Sequence, residues 1–355
     1  MSNILSDANK KLHNFCTKDQ RELPPFIIRK RGGLLHVCIS SCGCKFGAQG
    51  SCVMCNYGSS KMVTKNEISQ LFSVIREHEK QTTSILIGTY GSFFDNHEIS
   101  SDLFEFILDN LSKISIDIVI FETHYLTLTD DKLQSIQKKL HNKDIVIEVG
   151  LESSNYLVQQ KCLNKYVDLD KLVLKIDLIH SYGMSVTTNI FLGAPFLTCK
   201  EQIDDSLRTV QWAFDNKADN VVIFPANIRK NTLIEYLYKN GHYEKVSGWS
   251  LFELIRNVPL AYQNKIFLSW YGDWEDENIV DKSRDHNDYL LINLFNNYLN
   301  SNDKENRVKL LEDFLKNENI LTIYKDFVKK IHVLPQYDME ARIEKAHEWI
   351  LKNIK

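Results

Sequence analysis

The sequence predicts an α/β fold, a (β/α)6 partial TIM barrel with a helical C-terminal extension. Short apolar runs alternate with helix-period segments about six times before residue 230, and that alternation implies a parallel sheet with crossover helices. Six units fall short of the eight that close a barrel, so the sheet is expected to stay open. From about residue 280 the strand signal stops and only helical patterning continues.

Each element has its own signal. After an N-terminal arm (1–30), "LLHVCIS" (34–40) is the first strand, and "KNEISQLFSVIREHEK" (65–80) is a helix with Ile68, Leu71, Phe72 and Ile75 on one face. "SILIGTY" (84–90) is the second strand and "SDLFEFILDNLSKI" (101–114) the next helix. "IDIVIFE" follows as a strand, "TDDKLQSIQKKL" as a helix opened by a Thr/Asp cap, and "DIVIEVGLE" as a strand. "LDKLVLKIDLIHSYG" is a helix closed by Gly183, before "SVTTNIFLG", "KEQIDDSLRTVQWAF" and "DNVVIFPAN". The barrel is placed over 31–256. A mainly helical region, 257–355, holds "HNDYLLINLFNNYL", "ENRVKLLEDFLKNENILTIYKDFVKKI" and "EARIEKAHEWILKNI".

Composition narrows the function classes. A formal net charge of −3 over 355 residues provides no basic field for a polyanion, so nucleic-acid contact would need a local patch. "MSNILSDANKKLHNFC" lacks the apolar core of a signal peptide, and no run of eighteen apolar residues exists to span a membrane. A reduced, cytoplasmic chain is expected from eight cysteines without a secretion signal.

Four of those cysteines, Cys42, Cys44, Cys52 and Cys55, fall in one glycine-rich loop after the first strand. Thiolates this close bind a metal or a cluster, form a disulfide, or pack as small hydrophobes. A reducing compartment disfavours the disulfide, and a polar loop disfavours packing. Zinc is the rival: Cys52-x2-Cys55 is a zinc-knuckle spacing, and Cys42, Cys44 or His36 could complete a tetrahedron. No second C-x2-C pair exists, however, and a three-cysteine [4Fe–4S] cluster leaves one iron open for a ligand. The loop follows a strand, placing it at the C-terminal edge where such sheets carry chemistry.

The C-x7-C-x2-C loop resembles that of the radical SAM superfamily, whose usual spacing is C-x3-C-x2-C. The longer spacing, with "GSCVMCNYG", "YGSFFDNHEI" (90–99), "FETHY" (121–125), "EVGLESSN" (148–155), "CLNK" (162–165), "FLGAPFL" (191–197), "FPANIRKNTLIEYLYKNGHYE" (224–244) and "WSLFEL" (249–254), is similar to the archaeosine-biosynthesis radical SAM proteins (RaSEA), relatives of the elongator-type radical SAM domain. The resemblance covers about residues 40–256. It implies that Cys44, Cys52 and Cys55 hold the cluster and that its open iron chelates S-adenosylmethionine. One electron from a donor such as flavodoxin or ferredoxin then yields a 5′-deoxyadenosyl radical that takes hydrogen from the substrate.

The same resemblance assigns Tyr57 to the adenine, Gly91 and Ser92 to the amino group, and Glu122, Glu152 and Ser153 to the amine, the ribose or the substrate, with Glu148 as a further carboxylate at that level. Gly193 and Pro195 would cradle adenine. Glu122, His124 and Asn227 are the expected catalytic set, with Arg229 and Lys230 over the barrel mouth. His124 departs from the relatives, which carry arginine there. The relatives act on a lysine adduct of a 7-deazaguanine base in tRNA. Here the acidic balance and the His124 departure favour a small nitrogen-containing metabolite over tRNA, whose contacts would fall to Arg29, Lys30 and Arg31 or to Arg229 and Lys230. Past residue 256 the resemblance thins, and Trp270, Tyr271 and Trp274 are expected to pack the helical tail. A non-catalytic zinc-binding interaction protein is the alternative from another class.

Overall fold

In a computed structural model the chain is described over residues 3–16, 24–50, 52–55, 62–269, 271–272 and 278–354. One sheet of eight strands runs in chain order: β1 (Phe26–Arg31), β2 (Leu34–Ile39), β3 (Ser84–Thr89), β4 (Ile118–Thr123), β5 (Asp144–Glu152), β6 (Ser185–Leu192), β7 (Asn220–Pro225) and β8 (Ile266–Leu268). β1 is antiparallel to β2 and every later neighbour is parallel. No pairing joins β8 to β1 among the described residues, so the barrel is open.

The six expected strands are β2 to β7. The sheet gains β1 from the segment read as an arm, and β8 from the region read as helical. Neither was legible for a physical reason. "FIIRKR" ends in three exposed charged residues and "IFL" is only three long, so neither shows the apolar alternation of an interior strand.

Helices cover the convex face. A one-turn α2 (Lys45–Ala48) sits in the cysteine loop, after α1 (Ile4–Cys16). The crossovers are α3 (Lys65–His78), α4 (Ser101–Leu111), α5 (Asp130–Lys139), α6 (Leu169–Ser181) and α7 (Cys199–Asp215). Thr64 with Glu67 and Thr198 with Glu201 form reciprocal caps that start α3 and α7. Thr129 occupies the expected cap of α5, but its side chain makes no capping bond. Gly183 ends α6 at φ +71°, a conformation that favours glycine.

The convex side of the strands (Val37, Ile39, Ile87, Phe121, Ile147, Val149, Ile190) is fully buried against those helices. Burying such side chains is worth roughly 1.5–3 kcal/mol each, so the polar concave face is carried by an apolar back. α8 (Leu233–Lys239), α9 (Gly248–Arg256), α10 (His286–Asn300), α11 (Lys304–Phe314), α12 (Glu318–Ile331) and α13 (Met339–Asn353) follow. Arg307, 1% exposed, donates to the Gln263 and Ile266 carbonyls and ties α11 to the β8 edge. The C-terminal helix α13 returns to α1 and bonds the π-helical turn Val158–Leu163 through His347 Nε2 and the Lys161 carbonyl, 2.7 Å. Among the described residues no helix is long and apolar enough to cross a membrane.

Candidate functional site

The cysteine loop leaves β2 at its C-terminal end. Cys44 caps α2, with the backbone N–H groups of Phe46 and Gly47 against its sulfur. Gly91, just past β3, lies directly behind it: a Cβ there would stand 2.7 Å from the Cys44 Cβ and 2.2 Å from Glu98 Oε1. Only glycine lets the two segments meet. Burial raises both the Cys44 thiol and the Cys52 thiol, the latter to about 11, and Cys44 adds to the rise at Cys52. Cys55 is tied to Cys52 by its backbone N–H, 3.2 Å from the Cys52 carbonyl. Cys42 turns away, its sulfur 3.0 Å from the His97 carbonyl.

Among the described residues no three Cys, His, Asp or Glu side chains converge at metal-ligand spacing. The donor chemistry nonetheless fits a cluster. Protonated thiols have no reason to converge without the ion, whereas two neighbouring sulfurs, facing N–H groups and the bare Gly91 face are what a thiolate-held cluster requires.

The loop is held from outside. Gly50, at φ +74°, presents its carbonyl to Asn9 Nδ2 (3.2 Å) and Asn164 Nδ2 (2.8 Å). Val53 N–H bonds the Leu163 carbonyl at 3.0 Å, and Ile234 N–H reaches the Val53 carbonyl at 3.4 Å. The loop is thus pinned by α1, the π-helical turn and α8. The long spacing between Cys44 and Cys52 is filled by α2 and this anchored turn.

Buried polar groups brace the β3 and β4 ends. Glu98, 1% exposed, accepts from Ser41, Thr89 and the Ser92 N–H, and burial still raises its pKa. The Ser92 hydroxyl lies 2.7 Å from those of Thr123 and Thr127 and accepts the His124 N–H. His124 stacks on Phe46 with ring centroids 4.5 Å apart, and its Nδ1 accepts the Leu126 N–H. Burial, with Lys165 and Lys45 nearby, pushes the ring down to about 3, so it is neutral.

Three carboxylates face the concave side. Glu122 pairs in register with Glu148, and Glu152 ends β5 at φ +65° beside a bulge. Glu152 holds Lys165 Nζ at 2.8 Å. Burial works against the lysine's charge, but Glu152 and the Cys52 thiol outweigh it and hold its pKa above normal. Burial first, then Glu152, raises Glu122 to about 7; burial first, then Glu122, raises Glu148 to about 8.

Ser153 is fully buried, its hydroxyl accepting the Asn155 N–H. Gly193, at φ +120°, gives its carbonyl to the Tyr243 hydroxyl at 2.7 Å, and Pro195 is buried beside it. Asn227 lines a separate crevice with Lys245, Tyr271 and Arg284. Tyr271 packs edge-on to Phe295 and bonds Asn296. Arg29 and Arg31 pair with His36 and Leu34, which puts them on the concave face, while Lys30 leaves by the other side to Gln81. Arg229 bridges to Ile279 and the Lys230 N–H bonds the Asn278 carbonyl. Tyr57, Trp270 and Trp274 lie outside the described residues. Lys165, Glu98 and Asn189 were not singled out from sequence. A lysine following a left-handed asparagine has no periodicity to betray it, and Asn189 sits inside an apolar strand.

No family model matches the chain. It is 29% identical over 241 residues to archaeosine synthase subunit beta of Methanosarcina acetivorans, covering 66% of this chain and 69% of that one. To archaeosine synthase subunit beta of Thermococcus kodakarensis it is 22% identical over 251 residues, 68% and 77% of the two chains. Its fold is that of methylornithine synthase (PylB), with a TM-score of 0.50 at 15% identity over 87% of this chain and 86% of that one. With its cysteine loop at the C-terminal edge of an open parallel barrel, the chain has the fold of PylB, resembles the radical SAM enzymes and is similar to archaeosine synthase subunit beta.

Proposed function

We propose that Cys44, Cys52 and Cys55 hold a [4Fe–4S] cluster and that the enzyme uses S-adenosylmethionine to open a C–H or C–N bond in a small nitrogen-containing metabolite. The carrying observation is Cys44 packed on the bare face of Gly91 at the strand ends, with Cys52 feeling the charge of both Cys44 and the Lys165 of the Glu152–Lys165 pair. Cluster and S-adenosylmethionine together supply the hydrogen-abstracting radical.

The chain's own residues position and exclude. Gly91 opens the approach to Cys44, with Ser92 fixing that turn from beneath. Glu152, braced by Lys165, and Ser153 would hold the ribose and amine, and Gly193 and Pro195 would hold the adenine. Glu122 would contact the substrate, and neutral His124, stacked on Phe46 and Tyr125, brings it no charge; Asn227 lies in the separate crevice beside Lys245 and Tyr271. The concave carboxylates suit a nitrogen-bearing group.

A second reading, tRNA as the carrier of the substrate, is favoured by the name archaeosine synthase that both relatives bear. On either reading the anaerobically reconstituted, reduced protein releases 5′-deoxyadenosine and methionine slowly without substrate. Zinc without iron in the purified protein, or methyl-transfer products alone, would overturn the proposal.

A further inference from the structure

Below the strand ends the concave face carries a second, unassigned polar group. Glu122 and Glu148 stand side by side in register on β4 and β5, Glu148 only 5% exposed. Asn189 on β6 is also 5% exposed and pairs with Gly150, which has no side chain on that face. The Asn189 amide lies against Glu148 and favours its charge, yet its Oδ1 is buried without a partner. On the other side a Cβ at Gly88 would lie 3.2 Å from Glu122 Oε2, so glycine again makes the room. Past the bulge at Gly150 the Glu152 carboxylate and Lys165 Nζ fold back over Gly150, a Cβ there lying 2.8 Å from Glu152 Oε1, so this floor lies directly beneath the ion pair.

The chemistry of that floor is one-sided. Once ionised, Glu122 and Glu148 only accept hydrogen bonds, as the Asn189 amide oxygen does. The cation placed nearby, Lys165, is already bonded to Glu152. The Asn189 Oδ1, buried without a partner beside these carboxyl groups, is unfavourable until a donor arrives.

We infer that Glu122, Glu148 and Asn189 form the seat of a cationic amine on the substrate, a primary ammonium whose three N–H groups answer these three acceptors. This rests on the reading that the half-barrel is the substrate chamber, and it names the substrate class: an amine held by its charged end at the floor, with its carbon chain rising toward the strand ends. Burial raises both carboxyl groups toward neutrality, so they release protons to solvent as the ammonium binds. Binding accordingly tightens as pH rises toward about 8.

The test uses the full reconstituted chain and n-butylamine as probe, with n-butanol as its neutral counterpart. Thermal shift and calorimetry follow binding, and iron and sulfide are counted on each sample. Saturable stabilisation by the amine but not the alcohol is expected, with binding about tenfold weaker or worse in Glu148→Gln, the loss of one charged hydrogen bond. Binding should persist with S-adenosylhomocysteine at saturation. Equal response to amine and alcohol in the wild-type chain would overturn the inference without any variant. Displacement of the amine by S-adenosylhomocysteine would also overturn it, by giving the seat to the cofactor's amino group. Neither readout depends on cluster activity, so loss of iron would strike the functional proposal and leave this one standing.

Discussion

Residue by residue, what matters is which groups are close and what burial does to their charge. Cys42 and Cys44 are two positions apart, yet one faces the His97 carbonyl and the other the Gly91 turn. Alanine at Cys44, Cys52 or Cys55 should each abolish iron and sulfide binding, while Cys42→Ala keeps it; iron loading of Cys44→Ala equal to wild type would refute the assignment. Glu148 gives a pH prediction. Its folded pKa is raised to about 8, so it stays protonated in the folded chain where the unfolded chain has already ionised. Its contribution is therefore intact below the ordinary carboxylate range and is lost as pH rises through that range to about 8, by at most about 1.4 kcal/mol per pH unit. Glu148→Gln should flatten this slope, matching wild type near pH 5 and melting higher at pH 9. An unchanged slope in melting scans would show that Glu148 ionises freely.

At the scale of elements, the cysteine loop depends on helices far from it in sequence. Gly50 and Gly241 share φ +74°, but a Cβ at Gly50 would lie 2.4 Å from the Ser6 carbonyl of α1, whereas nothing lies within 4 Å of one at Gly241. Gly241→Ala should cost only the left-handed strain, about 1–2 kcal/mol. Gly50→Ala pays that and must also displace α1, so it should melt lower than Gly241→Ala and bind less iron. Equal melting temperatures in the two variants would mean that α1 does not clamp the loop.

Across the whole molecule, charge is the ground on which we propose a metabolite over tRNA. A polyanion is held largely through phosphate contacts that weaken steeply with salt. This chain has a net charge of −3, and of its one basic run Arg29 and Arg31 face the concave side while Lys30 reaches Gln81. Filter binding is expected to show weak retention of unmodified and deazaguanine-modified tRNA at physiological salt. Tight retention, lost when Arg29 and Arg31 are neutralised, would establish the tRNA reading instead.

The sequence by itself determined the open parallel barrel, six of its strands, the crossover helices and the cysteine loop, because each is written in local periodicity or spacing. The tertiary structure alone decided the rest. β1 and β8 are strands only because a neighbouring edge pairs with them. The loop's clamp joins residues 9, 50 and 164, which no pattern along the chain connects. Glu122, Glu148 and Asn189 become one acceptor group through the register of three strands, and register is a property of the sheet rather than of any segment.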